Sequence, residues 1–379
     1  MAKINWTIYN NRTGVQISNQ TLSMNITGGR EKYLDTYSGG TCVFTINNAN
    51  DIAANFVYGD KISLYNGLGP TYISLNFWVQ EIIFDDYPGN VGLNTATITC
   101  VDFMSRAGRI NANALVLAQN NTLQQAQKFN ANQGGPIPTD MSVGGYSGSS
   151  GSIAAATTYT GSVNNYLNLL VVTERGYIIE RAGLLVFVTR NDAAALVPPA
   201  TTIGRTTSSS QIAYQTFERI QNGTQFINTA TISPNGLAEQ TVVNSTSVSA
   251  YGPAFYSSST VDYTTTQATG NGQWVVNNFG DPSALRFACG FSDVIQNSTA
   301  LTSWISEFWG LTASKCINFS YQVPGGSLTT IPVIAEGYEI NVTPEQTAFR
   351  FTFSPLQYYQ FFTLNSNFLG ILNTSRLGW

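Results

Sequence analysis

The sequence contains no histidine in 379 residues. That absence removes Ser-His-Asp and Cys-His nucleophile pairs, zinc sites built on imidazole, and any side chain that ordinarily changes charge near neutral pH. Charge is scarce as well. Seventeen Lys and Arg against 21 Asp and Glu make up 10% of the chain, where soluble domains carry about 25%. The net charge of −4 provides no basic footprint for stable binding of nucleic acid or anionic lipid.

Cysteine is rare, and Cys42, Cys100, Cys289 and Cys316 show no CxxC spacing, so redox and zinc-ribbon motifs are absent. Three of them sit in apolar stretches (CVFTI, TATITC, RFACGF) and read as buried free thiols, with a Cys42–Cys100 bridge between strands as the alternative. Long apolar runs are missing too. None approaches the ~20 residues that span a bilayer, and the opening MAKINWTIYNNRTG lacks the apolar core of a signal peptide. No membrane association is expected, and the expected place of synthesis and assembly is a cytoplasm.

What is present is 43% apolar and 12% aromatic residues, enough to build cores, with Asn, Thr, Ser, Gly and Tyr in place of charge. These suit turns and outward strand positions. The first hundred residues alternate at strand period: Trp6–Tyr9, Leu22–Ile26, Thr41–Ile46, Lys61–Tyr65, Phe77–Phe84 and Thr95–Val101. Turn signals separate them at the density of a β-barrel. Residues 111–130 place Leu115, Ala118, Thr122, Leu123 and Ala126 at steps of three and four, which predicts a helix. Gln133–Tyr159 reads as a long Gly/Ser/Ala/Thr loop.

A short helix over 162–170 follows, capped by Ser162, and then a hairpin of Gly176–Glu180 and Leu184–Arg190 with Gly183 supplying positive φ in the turn. Strand texture returns at Phe217–Ile220, Phe226–Ile232 and Gln240–Asn244; helix character appears at Thr299–Trp309; strands resume at Ile331–Ala335, Tyr338–Val342 and Phe349–Pro355. The fold class expected is mainly β with α+β insertions. The ranges are 1–110 for a first β-barrel, 111–200 for an α+β insert, 201–265 with 325–379 for a second β-barrel, and 266–324 for a helix-containing insertion.

With histidine absent, paired carboxylates are the catalytic option left, because two such groups can divide acid and base roles across a glycosidic bond. The candidates are Asp85, Asp86, Glu81, Asp102, Glu174 and Glu180. Asp85-Asp86 precedes Tyr-Pro-Gly and reads more simply as a turn. No calcium loop of DxDxDG form and no phosphate cradle occurs, so neither a metal nor a cofactor is expected. The aromatic run Tyr358–Phe362 reads as core or interface. Interface cores are poor in Lys, Glu and Asp and rich in aromatics, a description that fits the chain as a whole and points to a permanent assembly.

Five segments occur in an order that resembles the hub or minor tail proteins at the tip of long-tailed bacteriophages. The first is GREKYLDTYSGGTCVFTIN, with Gly29, Arg30, Tyr37 and Gly40. The second joins FWVQEII at Phe77 to ATITCVDFMSR, with Asp102 and Arg106. The third runs from Leu167 through Gly176 and Gly183 to Arg190. The fourth is Tyr251-Gly252, and the last is the C-terminal stretch with Gly370 and Arg376. Trp78 stands where that family often has Gly, and Asn373 where Asp is common.

The resemblance implies two tube-like antiparallel β-barrels, each accompanied by a smaller helix-containing segment. It further implies a homotrimeric, pseudo-sixfold ring in the virion tail tip. The implied partners are the distal tail or tube protein, the tape-measure protein and tail fibre proteins, with DNA passing through the lumen without stable binding. A receptor-binding, fibre or distal tail protein is the alternative, and a cell-wall or polysaccharide hydrolase a further one.

Overall fold

The computed structural model describes residues 4–18, 20–66, 75–146, 151–181, 184–194, 196–221, 225–282, 285–309 and 315–358. The chain is mainly β. Its first strands are β1 (Trp6–Asn10), β2 (Gln16–Ile17), β3 (Thr21–Gly29), β4 (Thr41–Asn47), β5 (Lys61–Asn66), β6 (Leu75–Asp85) and β7 (Thr95–Val101). They pair antiparallel in the order β3-β4-β7-β6-β5-β1-β2. All but β2 coincide with strands read from the sequence, although the first half of β6 is buried on both faces. In β4, Cys42, Phe44 and Ile46 are buried while Thr41, Val43 and Thr45 are half-exposed, because successive side chains of a strand face opposite ways.

The next segment comprises α1 (Phe103–Arg109), β8 (Asn111–Leu117), β9 (Asn120–Asn121), α2 (Thr122–Gln127), β10 (Ser142–Gly145), β11 (Ile153–Ala154), β12 (Thr157–Ser162), α3 (Val163–Glu174), β13 (Tyr177–Arg181), β14 (Leu184–Val188) and α4 (Arg190–Ala194). The helix expected over 111–130 is corrected. Residues 111–117 form a strand paired with β12, and the helix is confined to α2, whose start is set where the Asn121 side chain accepts from the Gln124 amide. Long-range pairing has overridden a local period of three and four.

For the same reason the expected loop 133–159 supplies β10, parallel to β14, as well as β11 and β12. The capped helix and the hairpin are as read. Ser162 accepts from the Asn165 amide at the start of α3, which runs on to Glu174, and Tyr177 pairs with Val188 across the hairpin. Its turn, with Gly183, lies outside the described residues.

Downstream come β15 (Thr202–Gly204), β16 (Gln211–Ala213), β17 (Thr216–Gln221), β18 (Thr229–Pro234), β19 (Gln240–Val243), α5 (Ser245–Tyr251), β20 (Phe255–Thr260), α6 (Thr265–Phe279), β21 (Leu285–Ser292), α7 (Ser298–Trp309), β22 (Cys316–Gln322), β23 (Leu328–Val342) and β24 (Thr347–Pro355). Sheet membership cuts across the ranges read from the sequence. β18, β19 and β20 form a separate three-stranded sheet, with Trp274, Val275, Val276 and Phe279 of α6 buried beside Ala230 of β18. By contrast, β21 and β22, expected inside a helix-containing insertion, join the large sheet.

That large sheet has 14 strands and unites both β regions. Its branch point is β23. The first half of β23 pairs with β22, the second half pairs with β3 (Gly337 with Gly29, Val342 with Met24), and β24 runs along the strand from Val333 to Val342. A bulge falls between Ala335 and Gly337, where the neighbour changes, so Glu336 is the residue left out of register. Hydrogen bonds tie the start of β1 to the start of β24: Asp293, just after β21, accepts from the Ile4 amide at 2.8 Å and from the Thr347 amide at 2.9 Å, and Trp6 Nε1 donates to Thr347 Oγ1 at 3.1 Å. One apolar cluster lines this sheet from Ile4 to Phe353, and a second fills the helix-bearing segments.

Gly29 ends β3 at φ +91°, and a Cβ there would run into the Glu336 carbonyl oxygen. Backbone strain and overpacking then act together. Gly29→Ala is expected to destabilise the chain by about 2–5 kcal/mol, read as a lower midpoint in urea unfolding.

Candidate assembly site

Gly29, Arg30 and Tyr37 of the first motif lie together at the bulge of β23. The Arg30 amide donates to the Glu336 carbonyl oxygen at 2.8 Å, and its Nε donates to Glu336 Oε2 at 2.7 Å. Both side chains are buried, 3% and 1% exposed. The guanidinium lies 4.8 Å from the ring centre of Tyr33 and 4.7 Å from that of Tyr37, so its faces meet π-systems while its edge meets a carboxylate. Burial raises both phenols well above their ordinary range.

The same short connection reaches both helix-bearing segments. Tyr37 and Asn168 of α3 exchange two hydrogen bonds, from the Tyr37 amide at 2.8 Å and to its carbonyl at 3.1 Å. The Tyr33 hydroxyl donates to the Arg175 carbonyl at 2.7 Å, and its ring packs 5.0 Å from Trp274 of α6 and 6.1 Å from Tyr358. Arg175 follows α3 in a left-handed conformation, φ 55°, with its guanidinium 5.8 Å from the Tyr256 ring and 5.6 Å from Trp274.

Gly40 and Gly176 are close-approach positions. A Cβ on Gly40 would press on the Thr27 carbonyl and the Asp102 carboxyl, and one on Gly176 on the Val188 carbonyl. Asp102 caps α1 by accepting from the Ser105 amide at 2.8 Å. Arg190 is tied through its backbone amide to Glu174 Oε1 at 3.1 Å, and Glu174 also accepts from Thr122 and from the Ser152 amide. Arg106 donates to Asp140 Oδ2 at 2.6 Å and covers the Trp78 ring at 4.9 Å, while Trp78 Nε1 donates to the same oxygen at 2.8 Å. Burial pushes the Asp140 carboxyl up, but the Arg106 and Trp78 hydrogen bonds outweigh it and hold it below the usual range.

Other readings fall elsewhere. Tyr251 and Gly252 end α5, with Tyr251 exposed against the edge of Phe226 at 5.6 Å and Gly252 at φ +80°. Gly370 and Arg376, like Gly183, lie outside the described residues. Cys42 and Cys100 are directly opposite each other in β4 and β7, free and fully buried. Of the carboxylate candidates, Glu81, Asp85 and Asp86 are exposed along the β6–β7 hairpin, whereas Asp102 is buried and Glu180 half-buried at the start of α1, where the Phe103 amide donates to Glu180 Oε2 at 3.3 Å. Tyr358 packs on Phe279 at 5.1 Å as core. No group of three or more His, Cys, Asp or Glu that could hold a metal ion occurs among the described residues.

No family model and no curated protein matches the sequence. Solved structures do. A tail protein from Neisseria meningitidis superposes with a TM-score of 0.62 at 10% identity, covering 93% of this chain and 96% of that one. The 43 kDa tail protein of prophage MuSo2 from Shewanella oneidensis gives 0.60 at 13% identity, over 94% and 98%. A prophage tail protein from Listeria monocytogenes gives 0.52 at 11% identity, over 92% and 94%. The chain has the fold of prophage tail proteins.

Within that tail-protein fold, sequence reasoning found Arg30 and missed its partner. The signal was available: Glu336 directly follows the apolar run IPVIA, and a charge at that place in a central strand needs a counter-charge. Tyr33, Asp140 and Arg175 were also missed, having no neighbouring pattern to mark them. On the surface, Ile83, Phe84, Tyr87, Val91 and Leu93 are all exposed in or beside the β6–β7 hairpin, a clustering that ordinary solvent-facing strands avoid.

Arg30→Met removes the guanidinium from the buried Glu336 carboxylate and is expected to cost about 3–5 kcal/mol, whereas Arg30→Met combined with Glu336→Leu is expected to recover much of that loss. Thermal and urea unfolding of the two variants checks it.

Proposed function

We propose that the chain is a structural subunit of a phage tail tip, a hub that assembles as a ring of three and continues the tail tube. The observation that carries this reading is end-to-end likeness. The match to three tail proteins covers at least 92% of this chain and at least 94% of each of theirs, so the whole architecture is shared and not one common module. In this reading the strands on either side of β23 supply two tube-like units per subunit, so that three subunits present six. Distal tail or tube protein, tape-measure protein and fibres are then its neighbours.

Surface chemistry supports the same reading. At least nine of the 38 charged residues are buried: Arg30, Asp60, Asp102, Glu174, Arg175, Asp192, Asp262, Asp293 and Glu336. That leaves at most 29 charged residues for the whole exterior, few for a surface left in water and better suited to faces covered by neighbours. An acidic net charge also lets DNA pass a lumen without the phosphate contacts that would hold it. No reaction is proposed for the carboxylates.

Native mass spectrometry and electron microscopy of the purified chain test the assembly. Threefold rings are expected; sixfold rings favour a distal tail or tube protein, and a monomer at high concentration overturns the proposal. Replacing Phe84, Val91 and Leu93 by Ser is expected to weaken the ring while leaving the melting temperature of the monomer within a few degrees, because exposed side chains contribute little to folding.

A further inference from the structure

The contact between the β13–β14 hairpin and the large sheet contains a feature that assembly does not use. Asp102, buried at the junction of β7 and α1, and Glu180, half-buried on β13, both bring their carboxyls to the first turn of α1, where Ser105 and Phe103 donate to them. The Asp102 carboxyl accepts from the Ser105 amide at 2.8 Å, and the Asp102 amide donates to the Gly40 carbonyl at 3.1 Å. Glu180 Oε2 accepts from the Phe103 amide, but Oε1 is cut off from solvent and has no hydrogen-bond partner. Gly40 leaves no room for relaxation on one side, since even a methyl group there would press on Asp102.

The charged and titratable groups facing the pair are few. Lys315 acts on both carboxyls from the entry to β22 and sits with its ammonium 4.9 Å from the Tyr338 ring; Lys61 of β5 acts on Glu180. Tyr338 of β23 and Cys42 of β4 lie on the sheet side, both raised by burial and neutral through the physiological range. Two carboxylates, one with an orphaned buried oxygen, cannot both ionise there without repulsion and desolvation. One proton placed between them removes the repulsion and gives one oxygen a hydrogen to donate.

We propose that Asp102 and Glu180 form a proton-binding latch: one shared proton fastens the hairpin β13–β14 to the N-terminus of α1, and its loss loosens that contact. Burial is the main cause that raises both groups, carrying Asp102 to about 6 and Glu180 well above the usual carboxyl range. The sign follows from linkage. The folded chain binds more protons than the unfolded one above the ordinary carboxyl pKa, so stability falls as pH rises from there through the folded values, by about tenfold in the folding constant per pH unit for one proton. Glu31, Asp60 and Asp140, whose pKa values are lowered by their arginine contacts, give the opposite trend, so the latch is read as a difference between variants.

Glu180→Gln keeps the shape and cannot ionise. Urea unfolding is expected to show it more stable than the wild type by at least tenfold in folding constant at pH 8, with the advantage gone at pH 4.5. An equal offset at both pH values, or parallel profiles, overturns the proposal. Asp102→Asn, which keeps a capping oxygen, repeats the test if Glu180→Gln does not fold. In the unmodified chain, hydrogen exchange at the Phe103 amide, corrected for the intrinsic rate, is expected to lose protection between pH 5 and pH 8. Constant protection there also overturns it.

Discussion

The Arg30–Glu336 ion pair is the constraint on which the rest of the architecture depends. It joins the end of β3 to the one bulge in β23, the point where that strand exchanges β22 for β3 as its neighbour. A bulge leaves one residue outside the ladder, and here that residue is an acid in the interior, which only a buried cation can hold. Arginine suits the position because its flat faces lie against Tyr33 and Tyr37 while its edge takes the carboxylate. The two tyrosines then reach α3 and α6. One guanidinium thus sets the relation of both β regions and both helix-bearing segments.

Much of the fold was legible because strand period is a local property wherever one face is buried. Six strands of the first hundred residues, the capped helix at Ser162 and the hairpin after Gly176 were readable from alternation and capping chemistry. Residues 111–117 misled because Leu115 continues into Ala118 and Thr122 at helical spacing, while the pairing that makes 111–117 a strand comes from 157–162, about forty residues away. Sheet membership was illegible for a related reason: β21 has the same local texture whether it joins a large sheet or a small one. Nothing in its own sequence names β17 and β24 as partners.

The site was legible by half. Gly29, Arg30, Tyr37, Gly40 and Asp102 were marked by a shared order of motifs, and the first three cluster around Glu336 while Gly40 packs on Asp102. What the order did not disclose is their physical role, which is close packing at a seam. Gly29, Gly40 and Gly176 are fixed by neighbouring carbonyls and a carboxyl. Glu336, more than 300 residues from Arg30, was visible only as an acid at the end of an apolar run. Scarcity of charge sharpens this: in a chain with few charged side chains, those inside the core carry the specificity of long-range contacts.

The pairing of β3 with β23 also has a bearing on how the chain is made. These neighbours are separated by some three hundred residues, so contacts that complete the large sheet wait until nearly the whole polypeptide exists. Such a topology folds slowly, because the entropy of closing long loops is lost before the distant pairing compensates. During synthesis β3 presents an open edge and the connection carrying Arg30 has no acid to meet. The growing chain therefore spends its early life with unpaired strand edges exposed, a state prone to association with other copies. Low charge aggravates that exposure, so the interval between the emergence of β3 and that of β23 is the vulnerable stage in producing the protein.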